Sequence, residues 1–340
     1  MAQDGLRRQD FTLDDDQRAV QESFRDFFSR ESPASVVRAA EPLGFDAGLW
    51  AKLAGMGAAS MGLPESAGGD GATLIDLVLV AEECGRAVAP VPFLAHTAAS
   101  RFLAAAGASA DVLAEAVAGE RVFTLAFRPV RDGVRQLVPE AAIARGVVGC
   151  TADSPRLYTS EEPVRQVPNH GSTPLGWWFP GDPSVALGTQ GQFGTAVAEY
   201  KLLLAAALTG IADSALQLGA EFAKTRRTLG VAIGSLQGVA YPLVEVAMAV
   251  AGARNLVRKA AWYSEHEPTA RPELPLAAFD YAVRAATEAV TVSAHVQGGL
   301  GFTVEADISL FFLRAKGWGV LAGDPAADRR HIGATFLETV

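Results

Sequence analysis

The sequence contains few of the residues that build disulfide frameworks and metal sites. Only two of its 340 residues are cysteine, Cys84 and Cys150, and no CxxC pair suggests zinc. The five histidines are far apart along the chain and show no metal-ligand spacing. We therefore expect neither a disulfide framework nor a metal site.

Positive charge and long apolar runs are also scarce. The 29 Lys and Arg residues are outnumbered by 38 Asp and Glu residues, which gives a net charge of −9. This balance argues against a nucleic-acid or anionic-membrane partner, because phosphate surfaces attract clustered cations. The longest apolar run, residues 202–208, is much shorter than a membrane span, and the segment MAQDGLRRQDF has no apolar signal region. We expect a cytoplasmic protein, for which a small phosphorylated ligand stays possible.

The patterning divides the chain into three predicted domains. Residues 1–118 have helical periodicity, residues 119–194 alternate short β-branched or aromatic runs with turn residues, and residues 195–340 are helical again. This order predicts an α+β fold that is mostly α. An N-terminal helical domain, a small, shortened middle β-domain and a C-terminal four-helix bundle are expected.

Individual helices follow from capping residues and apolar spacing. The stretch Thr12–Asp15 favours a helix start, and Val20, Phe24 and Phe27 recur at the spacing of one buried helix face. A long amphipathic helix is predicted from about Ala196 to Lys224. Other helices are predicted at about 43–61, 73–86, 235–265, 275–296 and 304–321.

Three ordered motifs are more specific than this pattern. MGLPESAGG at 61–69 is followed by EECGR at 82–86 and PVPF at 90–93, RRTLGVAIGSLQ occupies 226–237, and HVQGGLGFTVEADISLFFLRAK occupies 295–316. Together they resemble the N-terminal signature, the R-x-x-F-G-x-x-I-x-x-x-Q motif and the Q-x-H-G-G-x-G-F-T motif of acyl-CoA dehydrogenases. The resemblance covers nearly the whole chain and weakens in the middle. The last motif is typical of a branch found in sterol-degrading bacteria.

The resemblance implies that the chain helps to bind FAD. Arg226 matches a family position that contacts the pyrophosphate of an FAD lying mainly on a neighbouring subunit, where a guanidinium suits phosphate oxygens. Leu229 stands where the family has an aromatic residue, and Gln237 matches a polar position that could bind the dinucleotide. The implied FAD-binding set is Arg226, Thr228, Leu229, Gln237, His295, Gln297, Gly298 and Gly299.

Simpler roles stay open for these residues. Gly298 and Gly299 let backbone N–H groups approach a phosphate, yet such a run also serves as a plain turn between helices. His295 and Gln297 look exchanged relative to the family pattern, and both could satisfy the backbone of that turn. Arg226 and Gln237 could equally be solvated helix caps.

The two family positions for a catalytic base carry no carboxylate. Enzymes of the family remove an α-proton from an acyl thioester and pass a β-hydride to the flavin. Because the α-C–H is a very weak acid, its deprotonation requires a positioned base. The resemblance places that base at Ala322 or at Tyr200. Alanine accepts no proton, and tyrosine is a poor base at neutral pH. Glu199 is one residue away, about 100° around a helix, and a solvated surface role is favoured over a substitute base.

The middle zone also departs from the family. The T-E-x-x-x-G-S-D-like loop and the W-I-T/S stretch, which contact the flavin ring in family members, are absent. The aromatic run Trp177-Trp178-Phe179 does not match their place, and core packing is the favoured interpretation. The sequence therefore predicts the adenosine-diphosphate side of an FAD site without its flavin-ring side.

These features resemble the chain without the base in the α2β2 heterotetramers of the sterol-degrading branch. We predict a subunit that acts with a second acyl-CoA dehydrogenase-type chain in α,β-dehydrogenation of a CoA thioester, with a steroid or similarly bulky acyl group. Two alternatives remain: a homo-oligomeric flavoenzyme with an unusual base, and a non-enzymatic acyl-CoA-binding scaffold. No catalytic residue is assigned to this chain.

Overall fold

Helices form the N-terminal part of the protein. The computed structural model describes residues 11–181 and 184–337, apart from the side chain of residue 336. Six α-helices come first: α1 (Asp15–Glu31), α2 (Ala34–Ala39), α3 (Ala47–Gly55), α4 (Leu74–Arg86), α5 (Phe93–Ala105) and α6 (Ala110–Ala118).

Capping explains where these helices begin. The Asp14 side chain accepts from the Gln17 N–H, and the Gln17 side chain accepts in return from the Asp14 N–H, which forms a capping box for α1. Thr73 and Asp76 do the same for α4. The helix predicted over 43–61 is shorter, because Asp46 caps α3 at its start and the helix ends at Gly55.

The middle part is a small β-domain. Its strands are β1 (Phe123–Ala126), β2 (Gln136–Val138), β3 (Gly146–Cys150), β4 (Pro155–Thr159), β5 (Gly176–Trp178) and β6 (Ser184–Ala186). Four of them form a sheet in the order β1-β3-β4-β6, in which β1 and β3 are parallel and the other pairs antiparallel. Strands β2 and β5 form a separate antiparallel pair.

The aromatic run at the end of this domain is only partly core, which corrects the sequence interpretation. Successive side chains of a strand point to opposite faces, so Trp178 is buried against Tyr158 while Trp177 is 41% exposed. Phe179, just past the strand, is 54% exposed. Two of the three aromatic side chains are therefore available to the surface.

The C-terminal part is a helical bundle, as predicted. Its helices are α7 (Gln190–Thr225), α8 (Gln237–His266), α9 (Leu274–Gln297) and α10 (Ile308–Trp318), and α11 (Pro325–Leu337) follows them outside the predicted set. A hairpin of β7 (Arg227–Thr228) and β8 (Val231–Ala232) joins α7 to α8, and a 3₁₀ helix, Gly298–Phe302, follows α9. Helix α7 starts six residues earlier than predicted, because Thr189 and Gln192 form a capping box.

Helix α7 joins the N-terminal helices to the bundle in one core. Gly85 on α4 and Gly210 on α7 face the other helix directly: a Cβ at Gly85 would lie 1.9 Å from the Ala207 carbonyl oxygen, and one at Gly210 would lie 2.0 Å from that of Glu82. Neither position has room for a side chain. Within the described residues α7 is also the one helix long and apolar enough to cross a membrane, but 72% of its most apolar window is buried inside the protein.

Candidate functional site

The sequence-predicted FAD-binding residues lie at one end of the bundle. Consecutive helices run antiparallel, so the end of α7, the start of α8 and the end of α9 coincide. Gly219 marks this meeting point, since a Cβ there would lie 3.2 Å from Leu243 of α8 and 3.0 Å from Ser293 of α9. Arg226, Gln237 and the Gly298 turn follow within about two helical turns.

Most of these side chains are free to meet a ligand. Arg226 ends α7 with its N–H bonded to the Phe222 carbonyl, and its exposed guanidinium forms no ion pair with any described residue. Gln237 and His295 are also exposed, whereas Gln297 is partly buried and donates to the Ser293 hydroxyl at 3.4 Å. The structure thus brings the predicted polar groups to one exposed surface.

The backbone at this end is open to an anion. Gly298 has φ 61°, which favours glycine, and a Cβ at Gly298 or Gly299 would have nothing within 4 Å. Peptide groups with open space suit phosphate oxygens, as does a guanidinium without a described ion partner at the same end of the bundle. These residues therefore fit the anionic half of a dinucleotide such as FAD.

The β7–β8 hairpin presents an apolar tip beside this surface. Thr228 is exposed on β7, and Leu229 and Gly230 form the two-residue turn with φ values of 51° and 81°. A leucine with positive φ is uncommon, and Leu229 is 89% exposed. The turn holds an apolar side chain in solvent, where another surface could cover it.

A second region surrounds Ala322, the first of the two expected base positions. Ala322 is buried beyond the end of α10. An open groove of about 590 Å³ lies between the middle strands and α10, and its lining reaches Leu321 and Gly323 on either side of Ala322. Its apolar walls include Phe127, Leu137, Trp177, Phe312, Leu313 and Val320.

The charged groups of this groove have one sign. Arg128 and Lys316 line it together with His170, and no Asp or Glu does so within the described ranges. Trp177 is also covered by Arg135, whose guanidinium lies 4.5 Å from the ring centroid. The groove can hold an apolar or anionic group, but its own lining offers no carboxylate to take a proton.

A small, largely enclosed cavity lies behind the groove and shares Leu321 and Thr173 with it. Its volume is about 30 Å³, and Cys84, Tyr200 and Trp318 contribute to its wall. Space of this size holds about one water molecule. It is far below the 300 Å³ or more that ligand pockets usually offer.

The second expected base position serves packing. Tyr200 is 2% exposed, its ring centroid lies 4.8 Å from that of Phe127, and burial, with the nearby Glu140 carboxyl, raises its pKa. Lys201 beside it pairs with Asp328 of α11 at 2.6 Å. Neither side chain is available as a base.

Glu199 is not the solvated residue that the sequence suggested. Its side chain is only 14% exposed and accepts from the Arg101 guanidinium at 2.8 Å, while Arg101 also donates to the Gly62 carbonyl in the MGLPESAGG loop. Helical rotation turns Glu199 away from Tyr200, so it lines a different surface groove. Its role is to connect α7 to the loop.

The structure reveals a carboxyl group that sequence reasoning missed. Glu140 follows β2, lines the small cavity with Tyr200 and forms no salt bridge with a described residue. Its φ of 61° is unusual for a residue with a side chain. Burial raises the pKa of Glu140 to about 8. Only its position after a proline in a turn-rich stretch could have drawn attention to it.

The EECGR motif forms a buried ionic cluster. Glu83 is fully buried and accepts from Gln21, Arg25 and Arg86. Arg86 also pairs with Asp213 at 2.6 Å. Burial alone would raise the pKa of Asp213, but the neighbouring guanidinium groups of Arg86 and Arg254 hold it below its usual value. The charged residues of the motif connect α1, α4 and α7, and only its Cys84 reaches the wall of the small cavity.

The helical domain, the small β-domain and the helical bundle, in this order, define an acyl-CoA dehydrogenase fold. The family model for the acyl-CoA dehydrogenase N-terminal domain matches residues 14–112, and that for the C-terminal domain matches residues 192–337. The chain belongs to the acyl-CoA dehydrogenase family, whose members are flavin-dependent oxidoreductases.

Its relatives include a protein that is named a steroid ACAD. The acyl-CoA dehydrogenase IpdE2 of Mycobacterium tuberculosis is 30% identical over 334 residues, which is 96% of this chain and 99% of that protein. The ChsE4-ChsE5 complex from the same species contains a chain with a TM-score of 0.88 and 24% identity, covering 98% of this chain and all of that one. A variant of the Tcur3481-Tcur3483 steroid ACAD has a TM-score of 0.85 and 26% identity, covering 96% of this chain and 99% of its own.

Proposed function

We propose that this chain is the subunit without a catalytic base in a heteromeric, FAD-dependent acyl-CoA dehydrogenase. One observation carries the proposal: among the residues that the structure describes, three basic side chains and no acidic one line the groove beside Ala322. The cavity behind it, at about 30 Å³, is too small for an acyl group. The companion chain would supply the base, the flavin-ring contacts and most of the acyl-CoA pocket.

The bundle end supports a share in cofactor binding. Arg226 has no ionic partner in the described chain, and the Gly298–Gly299 backbone faces open space. Bound FAD would supply the hydride acceptor, and Arg226 and Gln237 would hold its anionic part. Thr228, Leu229, His295 and Gln297 complete the contact surface. Their task is to bind and orient the cofactor.

An exposed apolar face supports a protein partner. Tyr241, Val244 and Met248 lie on one side of α8 and are 58%, 55% and 63% exposed. Leu229 and Phe302, at 89% and 77%, add to the apolar surface of the bundle end. Apolar clusters of this kind mark protein interfaces. A second acyl-CoA dehydrogenase-type chain, in an α2β2 arrangement, is the partner we propose.

The names of relatives suggest the substrate. One solved relative is named a steroid ACAD, and another is the ChsE4-ChsE5 complex. We propose a steroid CoA thioester as the substrate of the assembled enzyme and α,β-dehydrogenation as its reaction.

Co-expression with a companion acyl-CoA dehydrogenase chain tests the proposal. The expected result is a co-purifying complex that absorbs near 450 nm and oxidises a steroid CoA thioester, whereas this chain alone is inactive. Arg226→Ala should lower FAD retention in the complex, and Arg330→Ala, which removes an exposed arginine of α11, should not. If the chain alone purifies with stoichiometric FAD and full activity, the proposal is wrong.

A homo-oligomeric enzyme with an unusual base is the second candidate, and the structure favours Glu140 over Glu199 for that role. Glu140 lies beside the cavity next to Leu321 and has a raised pKa, whereas Glu199 is held by Arg101. If the chain turns over alone, Glu140→Gln should abolish turnover and Glu199→Gln should not. A protein with no absorbance near 450 nm in any assembly would instead indicate a scaffold.

A further inference from the structure

A third space in the molecule lies away from the two regions assigned to the proposed function. It is a pocket of about 360 Å³ between α1, α4, α7 and α10. Leu310 and Phe311 of α10 face this pocket, while Phe312 and Leu313 of the same helix face the groove beside Ala322. One helix therefore separates the two spaces. The pocket is within the size range of small-molecule sites.

The floor of the pocket is apolar and contains one unsatisfied hydroxyl. Phe28, Val88 and Leu310 are at most 3% exposed. Among them lies Ser32, which is 4% exposed and whose Oγ has no hydrogen-bond partner in the described structure. A buried hydroxyl without a partner costs free energy that a ligand oxygen could recover.

The charges around the pocket are already matched. Arg25 and Arg86 both donate to Glu83, and Asp307 at the rim accepts from Arg38 at 3.2 Å. An ionic ligand would have to compete with these pairs, so a neutral molecule suits the site better. Ser29 and Gln217 add uncharged polar groups at the exposed rim.

From these contacts we propose that this pocket binds a small neutral molecule with an apolar body and one hydroxyl or carbonyl oxygen, which hydrogen-bonds to Ser32. The apolar body packs against Phe28, Val88 and Leu310. The bound molecule also contacts α10, whose opposite face forms a wall of the groove. The inference does not depend on the proposed function, because it uses neither the FAD-binding residues nor a partner chain.

The test measures binding of cyclohexanol to the full chain by saturation-transfer NMR and titration. Saturable binding in the millimolar range or tighter is expected, with weaker binding of cyclohexanecarboxylate. Ser32→Ala should weaken cyclohexanol binding about fivefold, the loss expected for one net hydrogen bond. Ser235→Ala is the matched control, because Ser235 bonds the Ala232 carbonyl outside this pocket, and it should have no effect.

A blocking variant separates this pocket from the groove. Ser29 is exposed at the rim, so Ser29→Trp should fill the entrance without disturbing the core and should abolish binding. A crystal soaked with cyclohexanol should place its oxygen within hydrogen-bond distance of Ser32 Oγ. Absent binding, equal binding by Ser32→Ala and the wild type, undiminished binding by Ser29→Trp, or preference for the carboxylate would each overturn the proposal.

Discussion

We predict that the Lys201–Asp328 ion pair contributes strongly to holding α11 against α7. Its Nζ–Oδ1 distance is 2.6 Å, and the two side chains are 10% and 9% exposed. The second Asp328 oxygen is buried without a partner. Because removing one member of a buried pair leaves an uncompensated charge, we expect Asp328→Asn to cost about 3 kcal/mol of unfolding free energy.

A double-mutant cycle separates this effect from lost packing. Replacing both residues, as in Lys201→Met with Asp328→Leu, removes the two charges together and should recover much of the loss. Asp324→Asn is the matched control, because Asp324 meets Arg330 at 4.0 Å with both side chains mostly exposed. It should cost less than about 0.5 kcal/mol.

Urea unfolding followed by circular dichroism measures the free energies, and hydrogen exchange follows the α11 amides. The reasoning requires faster exchange of α11 in Asp328→Asn than in the control, because the pair attaches α11 to α7. Equal unfolding midpoints and equal exchange for Asp328→Asn and Asp324→Asn would refute it.

Three other predictions follow from buried groups. His96 is fully buried, donates from Nε2 to the Ala116 carbonyl and accepts at Nδ1 from the Phe123 N–H; burial lowers its pKa from 6.5 to about 4. The stability that neutral His96 contributes is therefore present above about pH 6.5 and is lost as the pH falls toward 4, up to about 3 kcal/mol. Urea titrations across this range should give a smaller loss of unfolding free energy for His96→Gln than for the wild type. Gly85→Ala should destabilise by about 1–3 kcal/mol, because its Cβ meets backbone of α7, and Gly133→Ala, which meets no atom within 4 Å but has φ 70°, should cost less in the same urea assay. Ala322→Glu should lower the unfolding midpoint by burying an unpaired carboxylate and should create no dehydrogenase activity in the isolated chain; turnover by this variant alone would show that only the base was missing.

Helix positions were largely predictable because they depend on local chemistry. The capping groups of α1 and the apolar spacing of Phe24 and Phe27 act over one or two turns, and both were legible in the sequence. The early start of α7 at Gln190 depends on an equally local capping box that the prediction did not use. Helix α11 has weak amphipathic patterning and is fixed by ion pairs with α7 and α9, such as Lys201–Asp328.

The candidate site was likewise predictable in part. Motif spacing placed Arg226, Gln237 and the Gly298 turn in one predicted set, and antiparallel packing brings them to one end of the bundle. Sequence could not reveal that Glu199 pairs with Arg101, because the partners are 98 positions apart. The exposure of Trp177 needed the register of β5 against β2.

By itself the sequence determined the family, the order of domains and the absence of a carboxylate at Ala322 and Tyr200, since each is a matter of residue identity at a motif position. Only the tertiary structure decided what surrounds those positions: a groove whose described lining contains basic side chains and no acidic one, a cavity of about 30 Å³, and Glu140 beside that cavity. Their walls come from helices, strands and loops far apart in the chain, and the side chains meet only when α10 packs against the β-domain.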